Sequence, residues 1–176
     1  LYQLFLNLTL QFDLWVLIRT VTQIGIEHGI SPVTAAETAA GYAGLYKATQ
    51  TFAFVPYQLI LSVTFVVFPM VSQATTAGDS EATKQTIRGA MRFSLLVLLA
   101  IATPIAGAAK GVMLIAYPAE YVSGAAALSV LSMGLVCFAL FVIAATVLSG
   151  AGKPGLAAAI AGVTVVIVVV SNIALV

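Results

Sequence analysis

The sequence predicts an all-α, polytopic transmembrane helical bundle of about five spans, and three observations point there. Of its 176 residues, 61% are hydrophobic and only 7% charged, with a mean hydropathy of +1.12. An average soluble domain is about a quarter charged, so this chain lacks the polar surface that water demands. The charges are also clustered: Phe93–Ala109, Ala125–Gly150 and Gly155–Val176 carry none. Each of these runs approaches or exceeds the ~20 residues that cross a hydrocarbon core of roughly 30 Å. Finally, the runs do not alternate polar and apolar residues as barrel strands do. Their backbone polar groups must therefore be satisfied inside helices.

Five spans fit along the chain. The first is read over residues 4–26, followed by a polar stretch, 27–38, with a Ser31-Pro32 turn signal. The second, 39–74, is long and interrupted by Pro56 and Pro69, which remove backbone donors and should kink it. A hydrophilic loop with Gly78 and Asp79 as breakers leads to a third span at 87–109, whose far end Pro104 should bend. A short connection, 110–124, precedes the fourth span at 125–148. The fifth, 155–176, follows a tight turn around Lys153-Pro154. Spans four and five carry small residues at i,i+4, such as Ala125/Ser129 and Ala158/Gly162, which let helix backbones approach. Lys84, Arg88, Arg92 and Lys153 gather on one side of this arrangement, which is read as cytoplasmic. The chain opens and closes inside apolar runs and lacks a leader pattern. The expectation is a membrane-embedded fragment, 1–176, of a longer protein.

Composition also excludes function classes. A net charge of +1 suits neither nucleic acid nor a polybasic membrane clamp. The single cysteine, Cys137, excludes an intrachain disulfide and a cysteine metal site, and reads as packing. His28 beside Glu27 does not make a metal or base site by itself, so neither a metal nor a cofactor is expected. Glu27, His28, Glu37, Lys110 and Glu120 sit in the outer loops without the convergent set an enzyme needs. No enzyme is expected from these loops. A membrane-embedded sugar-polymer ligase or polymerase is the alternative from another class.

Three ionisable residues lie inside spans: Asp13, Arg19 and Lys47. Each costs about 2.5–3.5 kcal/mol at a helix centre on insertion scales, so such groups face the bundle or water. At 1.5 Å rise per residue, Arg19 and Lys47 are expected at one level, roughly 10 Å below the outer ends of their spans, with Asp13 deeper. Lys47, Thr51, Gln58 and Ser62 are spaced by four, seven and four residues. They occupy a sector of about 60° on one helix face. Such a stripe fits a hydrated groove, or a row of interhelical hydrogen bonds with Lys47 snorkelling outward. Arg19 fits an anionic-ligand contact or an ion pair with an acid on another helix. Asp13 fits a coupling-ion site or a structural hydrogen-bond hub. Arg88 and Arg92 read as topology anchors.

Several segments carry a family resemblance. Gly44-Leu45-Tyr46-Lys47-Ala48, Val55-Pro56 and Val67-Phe68-Pro69-Met70-Val71-Ser72 follow one another in order, and Tyr121 with Ala125-Ala126-Ala127-Leu128 and Leu148-Ser149-Gly150-Ala151-Gly152-Lys153-Pro154 come later. Together they resemble the second half of polysaccharide flippases of the multidrug/oligosaccharidyl-lipid/polysaccharide exporter superfamily. The resemblance covers nearly the whole chain. It implies a two-lobed helical fold, with this chain in the second lobe. The implied function is flipping a polyprenyl-pyrophosphate-linked oligosaccharide across a bacterial or archaeal plasma (inner) membrane by alternating access. Arg19 and Lys47 would contact the pyrophosphate, Thr51, Gln58 and Ser62 would line the cavity, and Pro56, Pro69 and Pro104 would shape or hinge it. The partners implied are the lipid-linked substrate, membrane lipids and Na+ or H+, with the whole protein a monomer. The peptidoglycan-precursor branch carries an arginine and an acid about where Thr51 and Phe54 stand here. That difference directs the resemblance toward O-antigen, capsule or exopolysaccharide units. A cation-coupled multidrug exporter of the same superfamily is the nearest alternative.

Overall fold

The computed structural model describes the backbone of residues 2–78 and 80–175, and the side chains of 14–78, 80–167 and 169–171. The described residues are all-helical: α1 (Tyr2–Glu27), α2 (Pro32–Ala53), α3 (Val55–Thr76), α4 (Ser80–Gly107), α5 (Ala109–Ala116), a 3-10 turn (Ala119–Gly124), α6 (Ala125–Gly150) and α7 (Pro154–Leu175). Among the described residues, four segments are long and apolar enough to cross a bilayer: Val55–Thr76, Ser80–Gly107, Ala119–Gly150 and Pro154–Ser171. The chain divides into two compact units, residues 1–48 with 162–176, and residues 49–161; the division falls within α2 and α7.

Helix ends depart from the expected loops in instructive ways. The polar stretch 27–38 is mostly helix, because Pro32 is preorganised for a first helical position and Ser31 Oγ accepts from the Thr34 N–H at 3.3 Å. The hydrophilic 75–86 segment is likewise mostly helical. α4 begins at Ser80, and Lys84 pairs with Glu81 at 3.5 Å on its exposed first turns. Polarity there marks helix protruding beyond the apolar zone, not loss of helix. Asp79, expected as a breaker, lies outside the described residues. α1 and α6 end alike: Gly29 and Gly152 adopt φ of 82° and 78°. The Ile30 N–H then donates to the Gly25 carbonyl and the Lys153 N–H to the Leu148 carbonyl, each at 3.0 Å. These 6→1 bonds satisfy end carbonyls that would otherwise be orphaned, and only glycine takes the left-handed turn cheaply.

In the first unit, the turn between α1 and α2 brings Gly25 against Ala35. A Cβ added at Gly25 would lie 2.9 Å from the Ala35 Cβ. α2 starts at Pro32, ahead of the expected second span.

The second unit is a three-helix core of α3, α4 and α6. α3 runs parallel to α6: Tyr57 meets Phe138 with ring centroids 5.7 Å apart, and Gly150 packs on Phe68 and Val71. α4 runs antiparallel to both, and Ser129 Oγ on α6 donates to the Ala106 carbonyl of α4 at 2.7 Å. Ile60, Val71, Leu98, Ala102, Leu128, Ala139 and Ile143 fill the interior. Small groups admit the helices closely, and hydroxyls add interhelical bonds, as expected where lipid removes the usual hydrophobic drive. The outer surface is more apolar than water would permit: Phe65 is 81% exposed and Val130 75%. Gly150→Leu should force α6 away from α3, because a Cβ at that position would meet the Phe68 carbonyl oxygen at 3.1 Å. It should cost about 1–3 kcal/mol in reconstituted unfolding experiments. Gly134→Leu on the same helix, with open space around it, should stay within about 0.5 kcal/mol.

Candidate functional site

The polar stripe is built by the junction of α2 and α3. Pro56, at the start of α3, has no N–H to offer, and Phe54 breaks the assigned helix there. Hydrogen bonding nevertheless carries through: the Phe54 N–H donates to Gln50 O at 3.0 Å and the Gln58 N–H to Phe54 O at 2.9 Å. Phe54 keeps right-handed helical angles, φ −77° and ψ −13°. The helical phase therefore survives the break, and Thr51 stays in line with Gln58 and Ser62. Ala53, Pro56, Tyr57, Ile60, Val67 and Val71 are buried, whereas Thr51, Gln58 and Ser62 are exposed. At about 100° per residue the two sets lie on nearly opposite sides of the helix. Packing of one face turns the other out.

Lys47 is one helical turn before Thr51 on α2, and it is also exposed. Within the second unit, Thr51, Gln58 and Ser62 share one uncovered side, with Val55 and Leu59 exposed beside them. Further along, the same side carries Phe65 and exposed Pro69. Pro69 lies inside α3 and Pro104 inside α4 without ending either helix, and the Ala108 N–H still reaches the Pro104 carbonyl at 2.9 Å. Of the three prolines, Pro56 coincides with a helix break.

Arg19 on α1 is exposed, and its guanidinium carbon sits 5.2 Å from the centroid of the Trp15 ring one turn earlier. This is a cation–π contact, which satisfies part of the charge locally. Asp13 belongs to α1 by backbone, and its side chain lies outside the described residues. His28 Nδ1 bonds the Ile24 carbonyl at 2.8 Å, a local contact at the end of α1. Cys137 is exposed on α6 rather than packed in the core. Among the described residues, no three His, Cys, Asp or Glu side chains gather to hold a metal ion.

No family model, curated protein or solved structure matches the chain.

The geometry adds polar residues that sequence reasoning passed over. Thr49, Gln50, Ser94 and Ser132 are buried. Ser132 Oγ donates to the Leu128 carbonyl at 2.7 Å. The Gln50 Nε2 and Ser94 Oγ atoms have no hydrogen-bond partner among the described residues. The signal for Gln50 lay in its phase, about 60° from Lys47 by the helical wheel yet on the side shared with Ala53 and Tyr57. Residue type alone groups it with its polar neighbours. Leaving a buried donor unmade costs about 1–3 kcal/mol. Gln50→Leu, which keeps the volume, and Ser94→Ala should therefore leave thermal stability in detergent unchanged or raised. Gln50→Ala should lower it by opening a void.

Proposed function

We propose that this chain forms part of a membrane transporter that moves a lipid-linked oligosaccharide with an anionic pyrophosphate head, with the α2–α3 face serving as part of the polar path. The observation that carries the reading is the exposure of Thr51, Gln58 and Ser62 on the side opposite the buried one, with Lys47 exposed on α2 as well. Gln58 and Ser62 lie in a helix long and apolar enough to span; exposed polar groups there are unfavourable against hydrocarbon and useful where they line water or a substrate. Lys47 supplies the positive charge for a phosphate. The neutral side chains supply exchangeable hydrogen bonds to sugar hydroxyls, strong enough to admit a glycan and weak enough to release it. Arg19, on a separate helix, supplies a second cation.

The resemblance of Gly44–Ala48, Val67–Ser72 and Leu148–Pro154 to polysaccharide flippases supports the same reading. On that reading the two-lobed fold, alternating access, a bacterial or archaeal inner membrane and coupling to Na+ or H+ through Asp13 follow as parts of the proposal. The break at Phe54–Pro56 would let α2 and α3 change their mutual angle at low cost, because the backbone bond that Pro56 lacks does not have to be broken.

The test is transport by the whole protein in cells lacking their own activity. Lys47→Ala should abolish or reduce complementation by tenfold or more, the size of one lost charge-assisted contact worth about 1.5–3 kcal/mol. Membrane insertion should be unchanged, and Lys47→Arg should retain activity. Undiminished complementation by Lys47→Ala would remove the lysine from the path. Export of organic cations against an ion gradient by the purified protein would replace the glycan reading with a drug-exporter one.

A further inference from the structure

The connection between α4 and α6 is neither a span nor an irregular loop. α5 has eight residues, about 12 Å of helix, too short to cross a bilayer. It packs beside α6 and the 3-10 turn, with Ala109 and Met113 buried. Its other side is bare, with Leu114 56% and Ile115 90% exposed, on a segment flanked by Lys110 and Glu120.

The position of α5 along the chain is as telling as its composition. The charge-free run of α4 that starts at Phe93 ends at Ala109, where Ala108 bends the helix with φ −103° and ψ 22°. The next charge-free run begins at Ala125. Ser129 bonding Ala106 shows that these two ends lie side by side. α5 and the 3-10 turn therefore occupy the level at which two apolar helices both stop. That level also holds Tyr117 and Tyr121, stacked with centroids 5.2 Å apart, and Phe52, whose ring meets Tyr117 edge-on at 6.0 Å. Tyrosine pairs and a lysine with a long apolar stem are what a headgroup layer accommodates, apolar body inward and polar tip outward.

We propose that α5 is an interfacial anchor: Leu114 and Ile115 insert at the boundary between acyl chains and headgroups, and Lys110 engages lipid phosphates. Lys110 precedes Leu114 by four residues, so its stem runs along the same helix face and its ammonium can rise to the phosphate layer. The occupant of the bare face is lipid and not a second protein surface, because a charged side chain borders the apolar pair on its own face, whereas the centre of a protein interface is depleted of charge. This inference does not depend on the transported substrate.

Spin labelling in lipid vesicles tests it. In the whole chain with Cys137→Ala, a nitroxide on Ile115→Cys should be reached by oxygen more readily than by a water-soluble nickel chelate. A nitroxide on Glu120→Cys should show the reverse. Leu114→Cys gives a second reading of the same face should the first variant insert poorly. Greater access to the nickel chelate at both 114 and 115 would place the face in water and overturn the proposal. Poor access to both reagents would show another protein surface on it and equally overturn it.

Discussion

The packing of α3 against α4 and α6 is the constraint on which the rest depends. Ala53, Tyr57, Ile60, Val67 and Val71 commit one side of the helical stretch 53–71 to the core of this unit. The opposite side, with Thr51, Gln58 and Ser62, has no freedom to turn inward without unmaking that core. In a bilayer, helices gain little from the hydrophobic effect on meeting one another, so contact quality decides association. Close approach at Gly150, the Ser129–Ala106 bond and the Tyr57–Phe138 pair supply that quality here. A polar face is thus presented outward by default, and its chemistry becomes available to whatever lies beside it.

Much of the helical organisation was legible because the bilayer imposes a coarse rule: apolar runs of sufficient length become helices. The runs at Phe93, Ala125 and Gly155 all lie in helices that are long and apolar enough to span. The polar stretches misled for a physical reason. Residues such as Thr34, Glu37, Glu81 and Lys84 are compatible with helix outside hydrocarbon, so α2 and α4 extend through segments whose composition suggests loops. The 110–124 connection was equally opaque, since eight residues of α5 are too few for a periodicity to stand out.

The candidate site was legible in part. Spacing of four, seven and four residues predicted one face for Lys47, Thr51, Gln58 and Ser62; within the second unit Thr51, Gln58 and Ser62 are exposed on the side away from the core. Residue type could not distinguish Gln50, which packs inward, from Gln58, which points out. That distinction comes from phase on the helix, and phase survives the Pro56 break only because the hydrogen bonds flanking Phe54 hold it.

The central claim is that the face bearing Gln58 and Ser62 meets water inside a membrane. It is tested most directly by the rate at which a membrane-impermeant thiol reagent modifies single cysteines in vesicles, in a Cys137→Ala background. Gln58→Cys and Ser62→Cys are predicted to react readily, while Val130→Cys on the apolar outer side of α6 stays unmodified. Equal protection of all three positions would contradict the claim, because the polar stripe would then lie in a dry environment with no path beside it.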